Sequence, residues 1–376
     1  MGGAVSVHHC SFGVEGRRSG GLSTGESIAE LSTDAGDRAP QASRGRHTRR
    51  MTNSLLTAAP CPVTLIRRGD APHSDRAVRA GELTIVARGV YAATTQWRSL
   101  APWQRYVARV HATALLYPGA IFCGESAAAL RGHPVFLEPR EVHIVARPGA
   151  VTARAVAGVR FHTRERMPEH TELAGMAVVT GPELAVDIAR VRHNAIGLAV
   201  AGAVLSSDPT ISRDILAAVN EGRSSSRGRR HARWVIDRAS AVPESTLEHV
   251  SLAVIEWLGF PEPELQQWVR GADGDGDRLD FLWPTWAIAG EADGGIKYSG
   301  ELGDARDALH QRNVRDARLL SRGIRATAHW EWADVALSAQ LKAKLLAVGL
   351  PLVRPEDTRQ LRTLTAALGY RAPNYR

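Results

Sequence analysis

Apolar and polar residues alternate along residues 278–283. Leu279, Phe281 and Trp283 take one side and Arg278, Asp280 and Leu282 the other, the period of a half-buried strand. Glu291 and Asp293 are two residues apart on a second short strand and point to the same side. A turn at Pro284-Thr285 would set Asp280 roughly opposite Glu291. Upstream, Leu247, Val250, Val254, Trp257 and Leu258 recur at helical spacing, with Pro243 in the first turn and Gly259 at the end. Glu244 and Glu248 are four apart, so one helix face carries both. Residues 266–270 are a candidate strand, residues 303–322 a helix ended by Gly323, and residues 324–330 a further strand. The predicted order is helix, three strands, helix, strand.

Nearer the amino terminus, the pattern predicts a short helix end at residues 63–69 and a second short helix at 74–80, closed by Gly81. A hairpin over 82–92 follows, with Gly89 near its turn. Residues 124–132 and 182–190 read as helices, and 141–146 and 159–163 as strands, so the stretch 99–220 is α+β. Glu125 is expected to cap and Asp187 to be a buried, hydrogen-bonded carboxylate. Residues 1–50 are rich in Gly, Ser and Arg without apolar periodicity, which predicts a disordered extension and makes Met51 a candidate start. Residues 221–242 crowd arginines around Ser224-Ser225-Ser226 and read as a linker. Residues 336–376 read as a tail. The expected segments are thus 1–50, 51–98, 99–220, 221–242, 243–335 and 336–376.

Composition narrows the classes. Three cysteines without close pairing exclude a disulfide framework and a zinc site, which suits a cytoplasmic protein. The longest apolar run, residues 195–205, is too short to span a bilayer. Residues 243–335 hold 9 Lys/Arg against 17 Asp/Glu, a net of −8; the whole chain is +8, so the remainder carries +16. Any grip on nucleic acid is therefore expected mainly outside that segment. Within it, Arg312, Arg315, Arg318 and Arg322 recur along the predicted helix, either as phosphate contacts or as a solvated face. Residues 273–277 resemble the start of a calcium loop but lack its glycine and its final glutamate, and read as a hairpin turn. His249 and His329 are expected to be packing or surface residues. No phosphate loop, nucleophile elbow or dinucleotide fingerprint occurs.

Carboxylates forced together repel unless a cation lies between them, and hard oxygen ligands suit Mg2+ or Mn2+. The order and residues of 243–335 resemble the PD-(D/E)XK nuclease superfamily, in particular its Vsr-like (very-short-patch-repair-like) endonuclease domains. The resemblance implies a restriction-endonuclease-like αβββαβ fold. It implies that Asp280 and Glu291 bind the metal, with Asp293 a further candidate ligand. It implies that Glu248, or Glu244, supports the metal or its water. The family's lysine normally stands two residues after the glutamate, where this chain has Asp293. Lys297 is the candidate to reach back over Gly294-Gly295, and it is one of only three lysines among 47 cationic residues.

The order of helix, turn, helix and hairpin at 51–98, with Arg79-Ala-Gly-Glu-Leu83 and Arg88-Gly-Val-Tyr91, resembles the degenerate winged helix of AbiEi-type antitoxins. The α+β stretch is similar to the segment that follows it there. The winged-helix order itself sets Arg76, Arg79 and Arg88 for duplex DNA contact, and Arg229 and Arg230 of the linker and Arg315 of the predicted helix are further candidate phosphate contacts. The expectation is a DNA-binding protein with a Mg2+-dependent endonuclease domain. The alternative is an AbiEi-type transcriptional regulator with an inactive nuclease-like domain and a cognate toxin as partner.

Overall fold

The computed structural model describes residues 57–146, 154–271, 274–294 and 305–370. The extension 1–50, Met51 and Lys297 lie outside the described residues. The chain divides into residues 1–50 and 51–376, and the second unit is a mixed α/β structure. Among its described residues are thirteen α-helices and three sheets.

Strands β1 (Ile66–Arg67), β2 (Leu83–Ala87) and β3 (Val90–Ala93) form a sheet in the order β1-β3-β2, with helix α1 (Ser74–Arg79) between β1 and β2. The hairpin turns at Gly89, whose φ of 73° carries no Cβ penalty. Helices α2 (Thr94–Ser99) and α3 (Pro102–Leu116) follow, and Ala108 and Ala112 of α3 cover Val63, Val86 and Val90. The helix end expected at 63–69 is absent. Ile66 and Arg67 pair with Tyr91 and Val90, and Arg68–Asp70 is a single 3-10 turn. The β-branched Val63, Thr64 and Ile66 favour extended backbone. Among the described residues, one helix rather than two precedes the hairpin.

The middle is a six-stranded sheet ordered β6-β7-β5-β4-β9-β8. Its strands are β4 (Ile121–Phe122), β5 (Val142–Val145), β6 (Arg154–Val156), β7 (Val159–His162), β8 (His170–Leu173) and β9 (Met176–Val179). Helix α4 (Gly124–Arg131) follows β4. After β9 come α5 (Gly181–Val191), α6 (Asn194–Ser207), α7 (Arg213–Gly222) and α8 (Arg229–Arg238). The long apolar run forms α6, which is buried along nearly its whole length. No described helix is long and apolar enough to cross a membrane. The stretch expected as a linker carries α8, because Ala232, Val235 and Ile236 recur at helical spacing and are buried.

Beyond it lie α9 (Thr246–Trp257), β10 (Glu264–Arg270), β11 (Gly276–Trp283), β12 (Ile288–Ala292), α10 (Ala305–Ser321) and β13 (Ala326–Trp330). These give the predicted order of helix, three strands, helix, strand. The sheet runs β10-β11-β12-β13, antiparallel except that β13 is parallel to β12. Helix α9 begins later than Pro243 suggested, because Ser245 is its cap and its Oγ accepts from the Glu248 N–H at 3.1 Å. Phe281, Trp283 and Trp330 join Val250 and Val254 of α9 in the main core. Leu279, Leu282 and Ala289 meet Leu319 of α10 in a smaller one. The expected tail instead forms α11 (Trp332–Ala336), α12 (Ser338–Ala347) and α13 (Thr358–Leu368). Leu341 and Leu345, one turn apart on α12, and Leu364 on α13 anchor it. One hydrophobic core runs from Tyr106 through α6 and α8 to Trp330 and Leu364.

Candidate functional site

The β11–β12 register pairs Phe281 with Gly290 and Leu282 with Ala289, and one step further it sets Asp280 opposite Glu291, as the sequence predicted. Gly290 allows this close fit, since a Cβ there would lie 2.5 Å from the Trp330 ring. Residue alternation turns Ala289 and Glu291 toward α10.

Glu248 and Glu291 are each only 5% exposed, so their charges need partners. Glu248 Oε2 accepts from the Glu244 N–H at 2.9 Å and from Gln266 Nε2 at 2.8 Å. The same Gln266 nitrogen lies 3.2 Å from Asp280 Oδ1, and the Ala292 N–H donates to Asp280 Oδ2 at 2.9 Å. Burial pushes both Glu248 and Asp280 above the usual carboxylate range. Glu291 is pushed up to about 8 by burial, against the pull of Arg315 and with Asp280 adding repulsion.

Arg315 of α10 donates to Glu291 Oε2 at 3.0 Å and to the Arg278 carbonyl at 2.6 Å. Its other terminal nitrogen is 2.9 Å from Glu291 Oε1, yet that oxygen is buried without an aligned hydrogen bond. The residue expected to meet phosphate thus serves as counter-ion to a site carboxylate. Arg318 and Arg322 do likewise for Asp277, with bonds of 2.6–2.8 Å. Asp293 faces outward to Arg312 at 2.7 Å and to His329 Nδ1 at 3.2 Å. Burial raises Asp293, but His329 and Arg312 outweigh it and hold it below the ordinary range. His329 is a half-buried bridge whose Nε2 lies 3.1 Å from Asp316. Burial opposes its protonation, and the two aspartates more than restore it.

Among the described residues, no three His, Cys, Asp or Glu side chains are grouped to hold a metal ion. Asp280, Glu291 and Asp293 are therefore not a preformed three-ligand set, because Asp293 is drawn to Arg312 and His329. Asp280 and Glu291 remain as two hard oxygen donors. That suits Mg2+, which keeps several waters and takes one or two carboxylates plus phosphate oxygens. Lys297 lies outside the described residues. Sequence reasoning missed Gln266, which it read only as part of a strand. Its sole signal, a polar residue level with Asp280, needs the register to be known.

The other expected DNA contacts divide. Arg76, Arg79 and Arg88 are exposed on and beside the β2–β3 hairpin and α1. Arg230 is exposed too, whereas Arg229 is tied to the Arg223 carbonyl at 2.6 Å. In the middle, Asp187 is hydrogen-bonded to Arg164 and Arg223, as predicted, and is part-buried rather than fully buried. Glu125 is buried beside His143, at 3.5 Å, and Arg192, at 3.3 Å.

The fold and site define a mixed α/β protein with a buried carboxylate group on a helix and two neighbouring strands. No known family profile matches the chain. It is 30% identical over 244 residues to Uncharacterized protein Rv2248 and Uncharacterized protein MT2308, from two strains of Mycobacterium tuberculosis. The match covers 64% of this chain and 85% of each relative, and the chain belongs to their family.

Proposed function

We propose that the chain is a DNA-directed protein. In this reading its carboxy-terminal half is a Vsr-like PD-(D/E)XK module that hydrolyses phosphodiester bonds with Mg2+ or Mn2+. The AbiEi-like amino-terminal half grips duplex DNA. One observation carries the reading: Glu248, Asp280 and Glu291 come together from a helix and two adjacent strands in a helix, three-strand, helix, strand order. Asp280 and Glu291 would hold the metal. When bound, the cation supplies Lewis-acid activation of water and charge neutralisation at the scissile phosphate. Glu248, buried and made more basic than usual, is placed to orient or accept a proton from water. Arg76, Arg79 and Arg88 supply positive charge for the backbone, and Lys297 stays the candidate for the developing charge.

A second reading has its own support. Arg315 already faces Glu291, and Asp293 already faces Arg312 and His329. Carboxylates so satisfied also suit an AbiEi-type regulator with an inactive module and a toxin as partner. Plasmid cleavage by the full chain with Mg2+ or Mn2+ separates the two. The nuclease reading expects nicking that falls by orders of magnitude in Asp280→Asn. Binding without cutting under either metal leaves the regulator.

A further inference from the structure

Gln266 stands in mid-strand, yet its φ is 53°, in the left-handed region where a glutamine is strained. No register shift demands that backbone. Leu265 pairs with Phe281 and Gln267 with Leu279, so the ladder is in step on both sides and Gln266 is level with Asp280. A glycine would adopt the same φ without penalty, so the glutamine side chain is what the strained position presents.

That side chain joins two carboxylates from different elements. Nε2 is 2.8 Å from Glu248 Oε2 on α9 and 3.2 Å from Asp280 Oδ1 on β11. The reverse amide orientation would press a carbonyl oxygen against two acceptors, so only this one satisfies them. It leaves Oε1 buried with no hydrogen-bond partner, an acceptor that is unfavourable to leave unmade. Strained backbone, a shared donor and an orphaned acceptor coincide in one residue.

We propose that Gln266 is the positioning residue of the acidic site. Its left-handed backbone aims the carboxamide so that Nε2 holds Glu248 against Asp280. This rests on the metal-dependent reading above, and it adds a residue that acts through the carboxylates rather than on the phosphate. Partners of this kind typically change metal affinity by about 10- to 100-fold.

The test is Mn2+ alone, titrated by calorimetry and electron paramagnetic resonance into the full chain, with no DNA present. Gln266→Met keeps length and bulk but removes both polar contacts, and Asp280→Asn is the control for the site itself. The expected result is Mn2+ binding by the wild type that weakens about 10- to 100-fold in Gln266→Met, with the melting temperature within a few degrees. A purely structural glutamine would move melting and leave affinity alone. Should Gln266→Met fail to fold, Gln266→Gly carries the same measurement, since glycine accepts the backbone. Wild-type affinity in the folded variant overturns the positioning role while leaving the metal site standing. Indistinguishable absence of binding in wild type and Asp280→Asn overturns both.

Discussion

The ring of His249 lies over Gly202 so closely that a Cβ on residue 202 would be 2.0 Å from Cε1 and 2.5 Å from either ring nitrogen. Gly202 is on α6 and His249 on α9, next to Glu248. The contact therefore fixes the approach of the helix that carries a site carboxylate to the most buried helix of the middle region.

Gly202→Ala is expected to destabilise the protein by roughly 1–3 kcal/mol through overpacking. His249→Ala in the same chain should return part of that loss, because the two residues share one volume. Denaturant melts of the two single variants and the double variant measure the coupling. Additive losses would show that residue 202 and the ring are not coupled.

The positive arm is best tested in the whole chain. Leu198 and Val200 share a core with Val250, Phe281 and Trp330, so a cut near residue 240 would open apolar surface on both sides. Replacing Arg76, Arg79 and Arg88 together by Ala should weaken duplex binding. It should flatten the log–log salt dependence by about 0.9 for each phosphate that is no longer neutralised. These side chains are exposed, so melting should hold. An unchanged salt slope would place the DNA surface elsewhere.

His143 Nδ1 and His162 Nε2 are 2.8 Å apart, so one hydrogen bond joins two imidazoles. Burial, then the neighbouring His143 and Arg164, lower His162 to about 4. A depressed histidine binds fewer protons folded than unfolded between its ordinary 6.5 and about 4. Stability is therefore full above 6.5 and falls as the pH drops through that window. The ring is half-buried, so the loss after screening is about 2 kcal/mol. His162→Gln should flatten the acid limb of a Tm-against-pH curve between 6.5 and 4; an identical limb would remove His162 as its cause.

Local pattern made much of this legible. Alternation at 278–283 gave β11, and the turn length then set Asp280 opposite Glu291. Helical spacing gave α9 and α10, and Gly259 and Gly323 ended them with φ of 87° and 90°. What escaped depended on contacts distant in sequence. Arginine density hid the apolar stripe of α8, and Leu341, Leu345 and Leu364 beyond residue 336 belong to no motif and find their partners only in the folded core. Arg315 looked like a phosphate contact because spacing along a helix does not reveal which carboxylate a neighbouring strand presents. Gln266 was invisible because its backbone strain has no sequence signature.

Arg315 and Glu291 yield the last prediction. Glu291 is nearly excluded from solvent, and Arg315 is its cation. Above about pH 8, where Glu291 is ionised, Arg315→Ala should lower the stability of the metal-free protein by about 1–3 kcal/mol, because it strands a buried charged acceptor. Glu291→Gln in the same chain should recover part of the loss, since a neutral amide needs no counter-ion. If Asp280 and Glu291 take a divalent cation, Mn2+ replaces the missing positive charge, so its stabilising shift in Tm should be larger in Arg315→Ala than in wild type. Equal shifts would mean that arginine and metal do not compete for this carboxylate. A smaller shift in the variant would instead make Arg315 part of what holds the ion in place.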